Sequence, residues 1–240
     1  MSSNQELTIE QLLKDFAIEQ SDFESFFNFY NNDFKEYGNE IYNDFKVRLV
    51  HLKYFLENSW WNNRFHFLWK YYKNYEQVID LGFSVPYLPI HLYKLGKLNE
   101  LPKMLYVDGN ETSKKLADNI LGKLNIRAKF VTGDLLDKST WKSIDSDLTN
   151  DSKLFCLFET IEHLNDPTEF WGHIGKYNGS DMTLSLPIGF KIPSHNHSFQ
   201  NEKEAINYIQ QYLELKESKV FDGKVNGSEY RIFTALGSII

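Results

Sequence analysis

The feature that most constrains the fold is a series of short apolar runs, separated by stretches of helical spacing, that starts near residue 77. The first run, from Val78 to Leu81, is too short for an independent helix and contains β-branched residues, like strands buried in parallel sheets. Such alternation predicts a doubly wound α/β fold with a mostly parallel sheet. In chain order, the predicted strands are residues 78–81, 103–108, 128–131, 154–158 and 182–186.

The C-terminal part of the chain predicts an antiparallel end to this sheet. We expect a helix over residues 202–215 and then two strands, near 218–221 and 230–236. The Gly-Lys-Val-Asn-Gly segment at 223–227 indicates a hairpin between them. The expected fold is therefore a seven-stranded, mostly parallel sheet with an antiparallel C-terminal hairpin. The other helices expected in this part are residues 88–95, 111–121 and 167–174.

The first 75 residues have a different character. They contain more than half of the aromatic residues of the chain and no proline. Helical spacing is present over residues 7–16, with Thr8 as the N-cap, and further helices are expected near 23–30, 41–56 and 64–72. The sequence thus predicts an aromatic-rich helical cap over residues 1–75, walling a substrate pocket, and a ligand-binding domain over 76–240.

The end of the first predicted strand indicates a ligand-binding turn. Residues 80–87 read Asp-Leu-Gly-Phe-Ser-Val-Pro-Tyr, and Gly82 permits a positive φ or the close approach of a ligand. In doubly wound sheets, ligands lie beyond the carboxyl ends of the strands, near helix N-termini. Asp108 ends the next strand, where such folds place an acid that binds ribose hydroxyls; its alternative role is the N-cap of the following helix.

The turn at 80–87 resembles the first motif of class I S-adenosylmethionine-dependent methyltransferases, which usually reads Asp-x-Gly-x-Gly-x-Gly. Ser84 and Pro86 occupy the second and third glycine positions, and a proline lacks the backbone donor and fixes φ. Pro89 should delay or distort the start of the next helix. The resemblance implies S-adenosyl-L-methionine as cofactor, with its ribose at Asp108 and its adenine near Asp134. The cofactor-binding residues that it implies are Asp80, Gly82, Ser84, Tyr87, Asp108, Gly109, Asp134, Leu135 and Phe158.

Residues 159–163, which follow the fourth predicted strand, resemble the Glu-x-x-Glu-His motif of ubiquinone-type O-methyltransferases. Two carboxylates and an imidazole at this spacing suit a divalent ion such as Mg²⁺, Mn²⁺, Fe²⁺ or Zn²⁺. Residues 194–199 would add a ligand, for which His197 is preferred. The predicted metal ligands are Glu159, Glu162, His163 and His197. In the metal-free alternative the motif caps the next helix, and His163 or His197 is the catalytic general base.

Other single residues carry weaker expectations. A lone histidine is usually structural, and Arg64, although it could reach the carboxylate of the cofactor, is expected at the surface. The histidines expected to be structural are His51, His66, His91 and His173.

Composition limits the partners of the chain. The net charge of −7 disfavours binding to nucleic acid phosphates, and no apolar run approaches the roughly 20 residues of a membrane span. Cys156 is the only cysteine, which excludes an internal disulfide, and residues 1–6 lack the features of a signal peptide. We therefore expect a cytoplasmic protein with a small-molecule or peptide acceptor substrate, and a homodimer is left open.

The function that these patterns predict is S-adenosylmethionine-dependent methyl transfer to a hydroxyl oxygen, with or without a metal ion. The alternative is a non-catalytic protein that binds S-adenosylmethionine on a degenerate methyltransferase fold, motivated by Ser84 and Pro86. A nicotinamide-dependent dehydrogenase is disfavoured because residues 82–87 lack the glycines that let a pyrophosphate approach the backbone.

Overall fold

The structure is a computed structural model that describes residues 7–33, 38–225 and 228–240. Strands and helices alternate from residue 77 onward, as the sequence predicts. The helices are α1 (Ile9–Asp15), α2 (Gln20–Asp33), α3 (Phe45–Glu57), α4 (His66–Tyr71), α5 (Tyr87–Lys94), α6 (Glu111–Lys123), α7 (Lys138–Asp147), α8 (Pro167–Ile174) and α9 (Glu202–Ile209). The strands are β1 (Gln77–Leu81), β2 (Lys103–Asp108), β3 (Lys129–Thr132), β4 (Lys153–Phe158), β5 (Asp181–Ile188), β6 (Leu213–Val225) and β7 (Ser228–Ile239).

The strands form one sheet in the order β3-β2-β1-β4-β5-β7-β6. Strands β1 to β5 are parallel, and β7 lies antiparallel between β5 and β6. This arrangement confirms the predicted seven-stranded, mostly parallel sheet with an antiparallel C-terminal hairpin. Residues 226–227 of the predicted turn lie outside the described residues.

The sheet separates two apolar cores, because successive side chains of a strand point to opposite faces. On one face, Val78 and Cys156 pack with helices α1 to α6. On the other face, Ile79 and Phe155 pack with α7, α8 and α9. The N-terminal helices therefore cover one face of the sheet, while the division of the chain into a cap and a domain near residue 75 stays a prediction.

The helix predicted over residues 202–215 is shorter than expected. Helix α9 ends at Ile209, and strand β6 begins at Leu213, so the prediction is wrong for the last residues. Leu213 is buried and Glu214 is exposed, and both pair with β7. Alternating burial and hydrogen bonding to β7 decide the conformation here. Helix α7 is not predicted; it is largely polar and buries Trp141 and Ile144.

Pro89 does not delay helix α5, in contrast to the expectation. The helix begins at Tyr87, directly after Pro86, which places Pro89 at its third position. The first N–H groups of a helix have no partner inside it, so a proline there removes no hydrogen bond.

Thr8 is the N-cap of α1, as predicted, since its Oγ1 accepts a hydrogen bond from the backbone N of Gln11 at 3.2 Å. In the described part of the chain, no helix has both the length and the apolar character needed to cross a membrane.

Candidate functional site

A cavity of about 550 Å³ opens where β1, β2, β3 and β4 end. Its size is within the range of small-molecule sites. The carboxyl ends of parallel strands share one edge of the sheet, so the loops that follow them meet there. The cavity is lined by every residue that the sequence analysis assigns to cofactor binding: Asp80, Gly82, Ser84, Tyr87, Asp108, Gly109, Asp134, Leu135 and Phe158.

Gly82 occupies a position that only glycine fits. Its φ is +70°, in the left-handed region that side chains disfavour. A Cβ atom at this position would lie 2.5 Å from Cγ2 of Thr160, which follows the neighbouring strand β4. Both residues line the cavity. The turns after β1 and β4 therefore touch at this glycine.

Asp108 ends β2 and accepts a hydrogen bond at Oδ1 from the backbone N of Asn110 at 2.7 Å. Asn110, rather than Asp108, caps helix α6, because Asn110 Oδ1 accepts from the backbone N of Thr112 at 2.9 Å. Burial raises the pKa of Asp108 to about 6, and the charge of Arg48 opposes this rise. Burial, with a contribution from Asp108, also raises the pKa of Asp80 well above its usual range.

Arg64 lies in the wall of the cavity, so its expected surface location is wrong: the residue is only 7% exposed. Its guanidinium lies 3.5 Å over the Trp61 ring, and Nη1 is 3.9 Å from Oε2 of Glu159. Its Nη2 is buried without a hydrogen-bond partner. A buried donor of this kind indicates a place for a ligand oxygen. The N-terminal residues that line the cavity are Tyr42, Asn43, Arg48, His51, Arg64 and Phe65.

His51 also lines the cavity, although the sequence analysis treats it as structural. Its Nδ1 lies 2.7 Å from Oγ of Ser84, and its Nε2 lies 3.0 Å from the Tyr30 hydroxyl. Burial lowers the pKa of His51 well below its usual range, and the charges of Arg48 and Arg64 lower it further. The ring is therefore neutral, with one nitrogen as donor and the other as acceptor.

The backbone of Glu159 is strained, and one of its two carboxylate oxygens has no hydrogen-bond partner. Its φ of +49° is rare for a residue with a side chain. Its Oε2 accepts a hydrogen bond from the Tyr230 hydroxyl at 2.6 Å, whereas Oε1 is buried without a partner. Strained residues of this kind cluster at functional sites. Because Glu159 lines the cavity, we interpret Oε1 as a candidate ligand contact.

Among the described residues, one group of histidine, cysteine and acidic side chains is close enough to hold a metal ion: Glu162, His163 and His195, whose ligand atoms all lie within 4.8 Å of one another. Both carboxylate oxygens of Glu162 and Nδ1 of His195 are buried without hydrogen bonds. His163 Nδ1 donates to the Ser194 carbonyl at 2.8 Å, which leaves Nε2 with a free lone pair. A carboxylate and two imidazoles with unused lone pairs fit a divalent ion.

Hydrogen bonds join the loop that carries His195 and His197 to Glu162 and His163. The backbone O of Glu162 accepts hydrogen bonds from the backbone N of Asn196 at 2.7 Å and of His197 at 3.1 Å. The Asn196 side chain donates to the His163 carbonyl at 2.9 Å. His197 and Glu159, both predicted as ligands, lie outside the group, although His197 Nε2 is also buried without a hydrogen-bond partner. Glu159 and His163 line the cavity, whereas Glu162, His195 and His197 do not.

The β6–β7 hairpin meets the N-terminal segment next to Glu159. Trp60 Nε1 donates to the Asp222 carbonyl at 2.8 Å, and its ring centroid is 5.4 Å from that of Tyr230. A Cβ atom at Gly223 would overlap the Trp60 indole. Glycine at this position therefore allows segments from opposite ends of the sequence to pack together beside the site.

Comparisons with known proteins bear on the fold. No protein-family model matches the sequence, and no curated protein gives a significant match. The crystal structure of N-methyltransferase NodS from Bradyrhizobium japonicum WM9, in complex with S-adenosyl-L-homocysteine, matches with 11% identity and a TM-score of 0.51, covering 75% of this chain and 89% of that chain. A DUF574 family protein from Streptomyces avermitilis MA-4680 matches with 16% identity and a TM-score of 0.54, covering 84% and 88%. The chain therefore has a Rossmann-like methyltransferase fold.

Proposed function

We propose that the chain is an S-adenosylmethionine-dependent methyltransferase that acts on a small-molecule or peptide acceptor. The observation that carries the proposal is the single cavity that collects the glycine turn after β1, the acid after β2 and the acid after β3. Such a set suits a nucleoside at the edge of a parallel sheet. The likeness of the fold to NodS, whose structure contains S-adenosyl-L-homocysteine, supports this choice of ligand.

The cofactor would be held by residues on three sides of the cavity. Asp108 would accept hydrogen bonds from the ribose hydroxyls, and Asp134 would accept from the exocyclic amine of adenine. Gly82 would let the ligand approach the backbone. The unpartnered Nη2 of Arg64 would donate to the carboxylate of the methionine part, a charge-assisted bond.

The acceptor would lie near Glu159 and His163, which line the same cavity. Methyl transfer needs an in-line approach of the nucleophile to the sulfonium methyl, so positioning supplies much of the catalysis. An oxygen acceptor is favoured because a hydroxyl needs a proton acceptor or a Lewis acid to become a nucleophile. Nε2 of His163 is available for that proton, since Nδ1 donates to the Ser194 carbonyl. The helical cap over residues 1–75 would wall this acceptor side, through Tyr42 among others.

The same loops fit a metal ion held by Glu162, His163 and His195. A divalent cation there would act as a Lewis acid that lowers the pKa of a bound hydroxyl. The ligand set suits Mg²⁺, Mn²⁺, Fe²⁺ or Zn²⁺.

The rival proposal is a non-catalytic S-adenosylmethionine-binding protein, motivated by Ser84 and Pro86 at the positions of glycines. The cap of α8 by Asp166, whose Oδ1 accepts from the backbone N of Thr168, fits a metal-free methyltransferase and does not bear on this rival. Incubation with S-adenosylmethionine and a panel of hydroxylated small molecules, followed by mass spectrometry, separates the two. A methylated product supports the enzyme, and cofactor binding without any product supports the rival.

Calorimetric titration tests the ligand itself. The wild-type protein is expected to bind S-adenosylhomocysteine and not NAD. Asp108→Ala should weaken this binding about ten- to 100-fold, because it removes hydrogen bonds to a charged group. Asp118→Ala, an exposed acid on α6, is the matched control and should leave the affinity unchanged. A wild-type protein that binds NAD and not S-adenosylhomocysteine would refute the proposal.

The affinity for S-adenosylhomocysteine should also depend on pH. The pKa of Asp108 is about 6, and its ionised form is the stronger acceptor, so binding should weaken as the pH falls through this value. We expect a loss of about five- to tenfold between about pH 8 and about pH 5. Asp108→Asn should make the affinity nearly independent of pH over this range.

The stability of the folded protein distinguishes this effect from acid unfolding. A carboxyl whose pKa is raised on folding binds its proton more tightly in the folded state, so it adds stability as the pH falls from about 6 towards 3.8. Protonation of Asp108 therefore weakens ligand binding without unfolding the chain. A wild-type affinity that stays constant down to pH 5 would contradict the assignment of Asp108 to the ribose.

A further inference from the structure

The side chain of Ser84 joins the turn after β1 to helix α3. Its Oγ accepts a hydrogen bond from Nη1 of Arg48 at 3.2 Å and lies 2.7 Å from Nδ1 of His51. Arg48 and His51 are one helical turn apart on α3, so they present their side chains in the same direction. A glycine at position 84 would have no atom through which to make either contact.

Arg48 contacts its surroundings through neutral hydrogen-bond acceptors, although its charge also lowers the pKa of Asp108. The residue is 5% exposed, and it makes no ion pair within the described residues. Its Nε donates to Thr112 Oγ1 at 3.3 Å, and its Nη2 donates to the Tyr42 carbonyl at 3.1 Å. Because Thr112 lies in the first turn of α6, the guanidinium bridges the loops that follow β1 and β2.

His51 is itself held in place. Its second ring nitrogen lies 3.0 Å from the Tyr30 hydroxyl on α2, and its ring centroid lies 5.9 Å from that of Trp61. The ring therefore has little freedom to leave Ser84. The N-terminal segment thus holds the turn after β1 from one side, while Thr160 contacts the same turn at Gly82.

We propose that Arg48 and His51 are positioning residues that, through Ser84, hold the turn at 82–87 in the conformation that binds the methyl donor. In this chain, contacts from α3 would replace the close fit that a glycine-rich turn gives to its ligand. The affinity for the cofactor would then depend on a helix that precedes the nucleotide-binding sheet in the sequence. This inference rests on the proposed function, since it takes S-adenosylmethionine as the ligand of the turn.

A double-mutant cycle on Ser84 and His51 tests the proposal, with S-adenosylhomocysteine titrated by calorimetry into the full chain. His51→Leu should weaken binding about tenfold, and Ser84→Ala at least about tenfold, since it also removes the contact with Arg48. The double variant should bind about as weakly as Ser84→Ala alone rather than about tenfold more weakly, because the contact between Ser84 and His51 is already broken. His51→Asn, whose amide nitrogen can replace Nδ1, should lose less than about threefold. Thermal unfolding of each variant is measured in parallel.

Controls separate positioning from stability. His91, which stacks on Trp69 outside the cavity, gives the matched variant His91→Leu; it should lower the melting temperature and leave the affinity unchanged. If the double variant binds about tenfold more weakly than Ser84→Ala, or if Ser84→Ala binds as tightly as the wild type, the proposal is refuted. If His51→Leu does not fold, the affinities of Ser84→Ala and His51→Asn decide, since the proposal expects a loss of at least about tenfold for the first and of less than about threefold for the second. A wild-type protein without affinity for S-adenosylhomocysteine would refute the proposed function, and this inference with it.

Discussion

Gly82→Ala is expected to lower the free energy of unfolding by about 2–6 kcal/mol, which is the sum of the costs of backbone strain and of overpacking. The same change is expected to abolish binding of S-adenosylhomocysteine. The strain arises because the φ of Gly82 is +70°. The overpacking arises because the new methyl group would lie 2.5 Å from Cγ2 of Thr160. Denaturant unfolding measures the loss of stability, and calorimetric titration measures the loss of S-adenosylhomocysteine binding.

Gly122→Ala is the matched control for this substitution. Gly122 lies in the last turn of α6, with no atom within 4 Å of the added methyl group, so the change should be neutral or stabilise the protein by up to about 1 kcal/mol. In the Gly82→Ala background, Thr160→Gly should recover part of the lost stability, because it removes the steric contact and leaves the strain. A Gly82→Ala protein with wild-type stability and affinity would contradict the geometry of the turn.

If the proposed metal ion binds, Glu162→Gln is expected to prevent its binding and to abolish most of the methyl transfer. Replacement of residues that merely orient metal ligands already costs about ten- to 100-fold in metal affinity, so loss of a charged ligand should cost more. Elemental analysis of the purified protein, before and after dialysis against a chelator, measures the metal content directly. In the metal-free protein the same change should not destabilise the fold, since it removes a buried carboxylate whose oxygens have no hydrogen bonds.

The two histidines of the neighbouring loop make this test specific. His195→Ala should lose the metal ion, whereas His197→Ala should retain it, because only His195 lies with Glu162 and His163 in the compact group. If instead His197→Ala loses the metal ion and His195→Ala retains it, His197 is the ligand, as preferred from the sequence. If no variant changes the metal content, and turnover is unaffected by chelator, the metal proposal fails and His163 is left as the candidate base.

The sheet could be predicted from the sequence because buried parallel strands have a local signature. Val78, Ile79 and Leu81 are apolar, and β1 is buried along its whole length. The start of β6 could not be predicted in this way. Leu213 and Leu215 fit the end of an amphipathic helix, but they form a strand because they pair with Ile239 and Gly237 at the far end of the β6–β7 hairpin.

Some residues of the candidate site could likewise be predicted from a local sequence pattern, and others could not. Asp80, Asp108 and Asp134 could be found because each lies at or just beyond the carboxyl end of a predicted strand. The contributions of Arg48 and His51 depend on how α3 packs against the sheet, which no local pattern determines. A signal was nevertheless present, because Arg48, His51 and the buried Phe55 share one face of this helix. A basic residue on such an apolar face is worth examining as a candidate for function.

The position of β7 has a consequence for the order in which the protein acquires its site during synthesis. The ribosome produces the N-terminal segment first, yet Glu159 receives its hydrogen bond from Tyr230 on β7, and Trp60 receives its partner from Asp222 on β6. A nascent chain that ends before Ser228 has neither the strand that joins β5 to β6 nor the hydroxyl that satisfies Glu159. Because contacts this distant in sequence form slowly, the turns after β1, β2 and β3 can assemble on the ribosome while the surroundings of Glu159 wait for the last hairpin.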